Sequence, residues 1–258
     1  MSSKVAKALR RIPSFIISPS TSKVFGGGRK ANPDESQMFV LPPPLPEDEG
    51  KLTVVLDLDE TLVHSKLPRN LQDMRQDEER KEETVPYSDF FEVMVFSETF
   101  RVHKRPHLDH FLEEASKHYE LVCFTAGIQE YAEVLMDAID PQRKYFKHRL
   151  FRHHCVQVGG AFVKDLRVLN RKLERVVLVD NNAFSFLMQL PNGIPVSSFM
   201  DDANDTALMV LQEFLHTIKD LADVRDHLRT VFSLESILGD SAKIHLDNHA
   251  KQLGLDYH

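Results

Sequence analysis

Asp57 and Asp59 are the residues whose type and spacing most directly suggest catalysis. They follow the apolar run Leu52-Thr-Val-Val-Leu56, which predicts a buried strand that carries two carboxylates to the sheet edge where α/β folds bind ligands. Unpaired buried charge costs several kcal/mol, and a hard divalent cation is the partner that suits carboxylate oxygens. The pair therefore favours a metal-assisted catalytic loop with one aspartate as nucleophile. The alternatives are a solvated turn and a calcium loop, although residues 60–64 lack the glycine and third oxygen ligand of the calcium pattern.

Three further polar tips follow apolar runs later in the chain: Thr125, Lys164 and the pair Asp180-Asn181. Taken singly, Thr125 could be a helix N-cap, Lys164 a solvated surface side chain and Asp180 part of a turn. Because the carboxyl ends of parallel strands meet at one edge of a sheet, the four tips together predict a single site.

This order of residues resembles the haloacid dehalogenase superfamily of aspartate-nucleophile phosphotransferases. Within it, the chain is similar to the small phosphatases that act on the C-terminal domain of RNA polymerase II and to their relatives. The resemblance covers about residues 39–232. The segments that carry it are Asp57–Ser65, Lys104–His107, Phe124–Ala126, Arg149–Arg152 with Cys155, Val163–Leu166 and Val179–Asn181.

Two stretches depart from the pattern of those relatives. Asn182-Ala-Phe stands where they usually have Ser-Pro, which could alter the turn at the metal site. His153-His154 replaces a more usual Glu-Ser. Neither departure removes a catalytic group.

The chemistry of the side chains, read with the resemblance, assigns each a role. Asp57 attacks phosphorus and forms an aspartyl-phosphate. Asp59 protonates the leaving alkoxide and later takes a proton from the hydrolytic water. Lys164 offers a positive charge to Asp57 and a phosphate oxygen, and Thr125 offers a hydroxyl donor. We interpret His64 as structural, because Asp59 already fills the acid–base role.

Mg²⁺ is the expected cofactor, because a dianionic phosphate must be approached by an anionic nucleophile. The resemblance implies as its ligands the Asp57 side chain, the backbone carbonyl of Asp59 and Asn181. Asp180 is expected to touch the ion directly or through water. Octahedral Mg²⁺ usually keeps several waters, so this small set is sufficient.

An insertion at about residues 66–104 is expected to form a small β element beside the site. Residues 89–96 and 99–103 read as two arms of a hairpin, with the turn at Ser97-Glu98. In relatives this element contacts the peptide substrate, and core packing is the alternative for each apolar residue. The candidate substrate-pocket residues are Phe90, Phe91, Val93 and Val95.

The remaining periodicity predicts helices over residues 107–118, 129–139 and 205–221. Strands that alternate with helices imply a mainly parallel sheet with right-handed crossovers. The expected fold class is α/β: a three-layer, Rossmann-like haloacid dehalogenase fold with a central, mainly parallel sheet. A small β-hairpin insertion is expected in place of a large cap domain.

The charge of the chain is unevenly distributed. Residues 1–33 carry seven Lys or Arg and no Asp or Glu, whereas the whole chain carries −7, so residues 34–258 carry −14. A basic, serine-containing start is typical of a mitochondrial transit peptide, of a disordered arm that binds nucleic acid or anionic surfaces, or of an inert leader. The acidic remainder argues against nucleic-acid binding by the folded domain.

We divide the chain into a disordered arm (1–38), a phosphatase domain (39–232) and a possible helical tail (233–258). A length of 258 residues suits one substantial core. Two cysteines, Cys123 and Cys155, provide no disulfide framework. No apolar run approaches the roughly 18 residues that a bilayer span requires.

The expected function is a Mg²⁺-dependent protein serine/threonine phosphatase, with the RNA polymerase II C-terminal domain or another phosphoprotein as partner. The alternatives are a small-molecule phosphatase of the same superfamily and a non-catalytic binding subunit, like relatives in mitochondrial import. We expect a monomer in the nucleus or cytoplasm, with the mitochondrion as a third location.

Overall fold

The computed structural model of the protein describes residues 39–66, 88–158 and 160–238. The predicted arm 1–38 and residues 67–87 of the predicted insertion lie outside these ranges. Of the predicted tail, residues 234–238 are helical and the part from 239 onward is not described.

The centre of the fold is a sheet of five parallel strands in the order β10-β9-β1-β5-β6. Every residue of β1, β5, β9 and β10 is buried, as the apolar runs predict for a parallel sheet. Hence the expected α/β class with a mainly parallel sheet is confirmed. The strands are β1 (Thr53–Leu56), β5 (Glu120–Phe124), β6 (Phe146–Leu150), β9 (Val176–Asp180) and β10 (Gly193–Pro195).

The register of the three central strands brings their ends to one level. Leu56 of β1 pairs with Cys123 of β5 and with Val179 of β9. The next residue, Asp57, donates its backbone N–H to the carbonyl of Val179 at 3.0 Å. As a result, the chain positions that follow β1, β5 and β9 share one edge of the sheet.

A second, antiparallel sheet in the order β2-β4-β3 consists of β2 (Val63–Lys66), β3 (Phe90–Val95) and β4 (Glu98–Lys104). The insertion is therefore larger than the predicted hairpin, because β2 joins it. The turn between β3 and β4 is Phe96-Ser97, with φ angles of 51° and 67°, so the expected turn at Ser97-Glu98 is wrong by one residue.

A third sheet pairs β7 (Val156–Val158) with β8 (Ala161–Val163), and the sequence patterns did not predict it. This short antiparallel pair ends directly before Lys164. It therefore fixes the backbone that delivers the lysine.

Besides short 3₁₀ helices and the helical residues 234–238, the described ranges contain four α-helices: α1 (Leu108–His118), α2 (Gln129–Ile139), α3 (Ala207–Ile218) and α4 (Arg225–Phe232). The predictions for α1 and α2 are confirmed to within one residue at each end. Helix α3 starts two residues later and ends three residues earlier than the predicted 205–221. At its start, the side chain of Asp205 accepts the N–H of Ala207. Helix α1 packs against α3, and α2 packs against β3. None of the helices in the described ranges has the length and apolar character to cross a membrane.

Candidate active site

Asp57 leaves β1 at the carboxyl edge of the sheet, and the tight loop after it holds its carboxylate in place. Glu60 adopts a left-handed conformation, with φ of 61°, so the chain turns back to begin β2. This turn brings the hydroxyl of Thr61 to Asp57, and Thr61 donates to Asp57 Oδ2 at 2.9 Å. Both side chains are buried, so this oxygen is fixed before any substrate arrives.

Lys164 lies between two carboxylates from different strands. Its ammonium donates to Asp57 Oδ1 and to Asp180 Oδ2, each at 2.6 Å. All three side chains are almost fully buried, with Lys164 only 1% exposed. The net stabilisation from buried ion pairs of this kind depends on their geometry, because the cost of removing the charges from water opposes their attraction.

The charges of this group do not balance. Asp57, Asp59 and Asp180 supply three carboxylates, and Lys164 supplies one ammonium. Burial, and next the charge of Asp180, raise the pKa of Asp57 to about 7, although Lys164 opposes the shift. Burial alone would lower the pKa of Lys164, but Asp180 and Asp57 hold it above its ordinary value. The excess of carboxylates over ammonium groups therefore favours uptake of positive charge, as a proton or as a cation.

Two hydroxyl groups hold Asp59, one at each oxygen of its carboxylate. Tyr131 of α2 donates to Asp59 Oδ1 at 2.6 Å, and Thr125 donates to Asp59 Oδ2 at 3.3 Å. Thr125 is itself fixed, because its Oγ1 accepts the N–H of Gly127 at 2.8 Å. Burial raises the pKa of Asp59, while the bonds from Tyr131 and Thr125 lower it. A raised pKa suits a carboxyl group that must carry a proton near neutral pH.

The residues expected to hold Mg²⁺ fit a hard cation in their chemistry. The Asn181 amide nitrogen donates to Ser198 Oγ at 2.9 Å and to Glu60 at 3.2 Å. These bonds turn Asn181 Oδ1 toward the hydroxyl of Thr61, at 3.3 Å, and the same hydroxyl is 2.9 Å from Asp57 Oδ2. Two of the oxygens expected to bind the ion therefore lie beside one hydroxyl group. Asp180 Oδ1 accepts the N–H of Asn182, which fixes the turn that departs from the family pattern.

No three His, Cys, Asp or Glu side chains within the described ranges are grouped closely enough to bind a metal by themselves. The expected set is compatible with this result, because it relies on an amide and a backbone carbonyl beside the carboxylates. Magnesium also keeps several waters. The features of the site that suit Mg²⁺ are therefore the oriented oxygens of Asp57 and Asn181 and the excess of carboxylates over ammonium groups.

A cavity of about 540 Å³ joins these groups. Asp57, Asp59, Thr125, Lys164 and the pair Asp180-Asn181 all line it, so the structure brings together every predicted catalytic, phosphate-binding and metal-binding residue. His64 lies on β2 and does not line this cavity. The other lining residues are Phe96, Phe100, Ala126, Gly127, Ile128, Tyr131, Arg152, Asn182 and Ser185.

The four candidate pocket residues of β3 do not line the cavity. Phe91, Val93 and Val95 share the face of β3 that packs inward beside α2, and Val95 is only 4% exposed. Phe90 lies on the opposite face, against the guanidinium of Arg101. The parts of this sheet that line the cavity are Phe96, at the hairpin turn, and Phe100 on β4. The structure therefore assigns inward packing to three of the four candidates.

Sequence reasoning gave no role to two further lining residues, Tyr131 and Arg152. Arg152 donates to the carbonyl of Ala126 at 2.6 Å, and its guanidinium lies over the ring of Phe162. It brings a positive charge to the rim of the cavity. The sequence carried no signal for a role of Tyr131 in the site, because an aromatic residue in the first turn of a helix usually packs in the core.

The cysteines do not enter the chemistry. Cys123 is fully buried within β5, and burial raises the pKa of its thiol. Burial also raises the pKa of Cys155 to about 11. A thiol rather than a thiolate is a weak nucleophile, so neither cysteine is a candidate nucleophile.

Residues 52–225 match the family model described as NLI interacting factor-like phosphatase. CTD small phosphatase-like protein 3 of Caenorhabditis elegans is 41% identical over 197 residues, which cover 75% of this chain and 63% of the relative. CTD small phosphatase-like protein 2 of Dictyostelium discoideum is 38% identical over 202 residues, which cover 77% of this chain and 33% of the relative. The chain thus spans from about a third to somewhat under two thirds of these two proteins.

A third relative is matched over more of its own length. CTD nuclear envelope phosphatase 1 of Xenopus tropicalis is 39% identical over 178 residues, which cover 68% of this chain and 70% of the relative. The segment that the family model matches runs from Leu52 to Arg225 and includes the strands whose ends carry the polar tips.

Proposed function

Because the chain belongs to the NLI interacting factor-like phosphatase family, we propose that it hydrolyses phosphoserine or phosphothreonine in a protein. The observation that carries this proposal is the position of Lys164, 2.6 Å from both Asp57 and Asp180, in the cavity that Asp59 and Thr125 also line. An isolated ion pair in a protein core would not need two further polar groups facing an open cavity.

In the first step, a carboxylate oxygen of Asp57 forms a bond to phosphorus. The bond between phosphorus and the serine or threonine oxygen breaks, and its electron pair goes to that oxygen. Asp59 transfers a proton to the same oxygen, so the side chain leaves as a neutral hydroxyl. Lys164 and Thr125 offer donors to the phosphoryl oxygens, whose charge they offset.

In the second step, water replaces the departed hydroxyl group. Asp59, now ionised, takes a proton from the water while the water oxygen forms a bond to phosphorus. The bond between phosphorus and Asp57 breaks, its electron pair returns to the carboxylate, and inorganic phosphate forms. One residue thus acts first as acid and then as base, which requires that it stay close to the same oxygen position in both steps.

Mg²⁺ would be held by the Asp57 side chain, the Asp59 backbone carbonyl and Asn181, with Asp180 direct or through water. When bound, it supplies positive charge that offsets the phosphate dianion and the nucleophile. The excess of carboxylates over ammonium groups in the site supports this cofactor.

A protein substrate is favoured by the walls of the cavity. Phe96 is 65% exposed at the tip of the β3–β4 hairpin, and Phe100 lies behind it, so an apolar surface continues outward from the catalytic groups. The phosphorylated C-terminal domain of RNA polymerase II is the first substrate to test, given the resemblance. The nuclear envelope phosphatase among the relatives supports a nuclear location rather than a mitochondrial one.

The first experiment compares wild type with Asp57→Asn on an aryl phosphate and a phosphoserine peptide. We expect activity that requires Mg²⁺ in the wild type and loss of turnover on both substrates in the variant, because an amide cannot attack phosphorus. The matched control is Asp226→Asn, whose side chain is 88% exposed on α4 and should leave turnover unchanged.

Three results would each redirect the proposal. Near-normal turnover by Asp57→Asn would overturn the nucleophile. Hydrolysis of the aryl phosphate without any phosphopeptide would favour a small-molecule phosphatase. Binding of a peptide by a wild-type protein that hydrolyses neither substrate would favour the binding subunit.

A further inference from the structure

Tyr131 joins three elements around Asp59. It lies in the first turn of α2, and its hydroxyl is 2.6 Å from Asp59 Oδ1 and 2.6 Å from Ser65 Oγ on β2. Its ring contacts Phe100 of β4 edge-on, with 5.8 Å between the ring centres. The phenol is therefore fixed at both its ring and its oxygen.

The chemistry of these groups sets the direction of the hydrogen bonds. A phenol has one proton, and an ionised carboxylate can only accept. Tyr131 therefore donates to Asp59 Oδ1 and accepts a hydrogen bond from the hydroxyl of Ser65. The result is a chain of donors from Ser65 through Tyr131 to one oxygen of Asp59.

This chain makes the two oxygens of Asp59 different. Oδ1 accepts the short hydrogen bond of 2.6 Å from the phenol of Tyr131. Oδ2 is 3.3 Å from Thr125 Oγ1 and 3.4 Å from the point that a Cβ atom on Gly127 would occupy. Because its bond from Thr125 is longer than the 2.6 Å bond from Tyr131 at Oδ1, Oδ2 is the oxygen more available to carry a proton and to exchange it with a substrate in the cavity, which Asp59 lines.

We propose that Tyr131 is a positioning residue for Asp59, which anchors Oδ1 so that Oδ2 transfers the proton to the leaving oxygen. This inference rests on the proposed function, since it concerns the acid–base step of the same site. In the first step the proton passes from Oδ2 to the serine or threonine oxygen as the bond from that oxygen to phosphorus breaks. In the second step the proton of water passes to Oδ2.

The test uses the dependence of kcat/KM on the pKa of the leaving group. A purely structural role of Tyr131 would not change this dependence. A leaving group of low pKa departs without a proton, whereas one of high pKa needs the acid. Tyr131→Phe removes only the hydroxyl and keeps the ring against Phe100. We measure kcat/KM, which reports the steps up to departure of the alcohol, for phenyl phosphate and for 2,4-dinitrophenyl phosphate in the presence of Mg²⁺.

For phenyl phosphate, Tyr131→Phe should lower kcat/KM by about 10- to 100-fold, less than the roughly 10²- to 10⁴-fold that the acid itself contributes, because Asp59 is still present. For 2,4-dinitrophenyl phosphate the loss should stay within about threefold, because no proton is needed at departure. Ser65→Ala, which keeps the phenol, should show the same preference with a smaller loss. Tyr145→Phe, before β6, is the matched control and should change neither value.

A double-mutant cycle with Asp59→Asn separates positioning from other effects. In the Asp59→Asn background, Tyr131→Phe should cause little additional loss on phenyl phosphate. Equal losses on the two substrates, or an undiminished loss in the Asp59→Asn background, would overturn the inference. If the wild type hydrolysed neither ester and no phosphoserine peptide, the proposed function itself would fail, a result distinct from a wild type that is active and insensitive to Tyr131.

Discussion

At the scale of single residues, Lys164 governs the electrostatics of the site. It is the ammonium that contacts both Asp57 and Asp180, and these two carboxylates also repel each other. A neutral side chain in its place would leave the carboxylates to take up a proton or a cation. In that state Asp57 is a weaker nucleophile, and a phosphoryl oxygen lacks its fixed partner.

We expect Lys164→Met, which conserves length and removes the charge, to lower kcat on an aryl phosphate by about 10²- to 10³-fold, the usual loss for one preorganised donor. Steady-state kinetics at saturating Mg²⁺ provide the measurement, with the melting temperature as a check of folding. The control is Lys117→Met on α1, where the side chain is 53% exposed. A folded Lys164→Met variant with normal kcat would remove the lysine from the mechanism.

The meeting of Asp57, Thr125 and Asp180 could be predicted from sequence, because each ends or follows an apolar run and parallel strands share an edge. Lys164 follows the antiparallel β7–β8 pair, so its place at this edge was predicted by the family resemblance and not by strand order. The contact of Tyr131 with Asp59 could not be predicted from sequence. It joins residues 72 positions apart, and it depends on how α2 packs beside β2 and β3. The sequence pattern within each element does not predict how that element packs against another.

At the scale of elements, the β3–β4 hairpin sets which apolar residues reach the site. Its turn is Phe96-Ser97, with both residues in the left-handed region that hairpin turns usually fill with Asn or Gly. The alternation predicted a hairpin turn at Ser97-Glu98, but no Asn or Gly marked its exact position, so the predicted turn was one residue late and Phe96 was assigned to a strand instead of the tip. The inward face of β3 was also ambiguous, because alternation defines two faces and does not say which one meets α2.

Phe96→Ala should raise KM for a phosphoserine peptide several-fold, because loss of apolar contact costs roughly 1–3 kcal/mol per large side chain. Hydrolysis of an aryl phosphate, which needs only the catalytic groups, should remain almost unchanged. Met94→Ala is the matched control, since Met94 is 71% exposed on the same hairpin and does not line the cavity. Equal effects of the two variants, or equal effects on both substrates, would exclude a docking role for the hairpin tip.

At the scale of the whole molecule, Arg105 ties three segments together from a fully buried position. Its guanidinium donates to Asp205 before α3 at 2.7 Å and 2.8 Å, and to the carbonyls of Thr61 at 3.0 Å and Ser197 at 2.9 Å. The loop after β1, which holds Asp57, thereby depends on the segment that leads from β10 to α3.

Arg105→Leu should lower the free energy of unfolding by about 3–5 kcal/mol, because Asp205 and two carbonyls would lose a buried partner. Urea denaturation followed by circular dichroism measures this loss. Arg101→Leu is the matched control, because its ion pair with Glu92 is exposed and should be worth about 1 kcal/mol or less. Similar losses in the two variants would show that the buried network contributes little to stability.

The stability of the whole protein should also depend on Mg²⁺, because the ion and a proton compete for the carboxylate of Asp57. Its pKa is raised from the ordinary 3.8 to about 7, so the folded protein holds a proton there that the unfolded chain releases. The contribution of this group to stability is present below the unfolded pKa and is lost as pH rises through about 7. A divalent cation takes the place of the proton, and it binds better where the carboxylate is ionised.

We therefore expect Mg²⁺ to raise the melting temperature more at about pH 8 than at about pH 6, with the increment growing through the pKa of Asp57. Differential scanning calorimetry, with and without Mg²⁺ at each pH, measures this increment. In Asp57→Asn the amide cannot exchange a proton for the ion, so the increment should be smaller and nearly independent of pH. An increment that falls with pH, or one that keeps its pH dependence in Asp57→Asn, would mean that the cation does not replace the proton of Asp57, and the metal would then have to bind elsewhere on the chain.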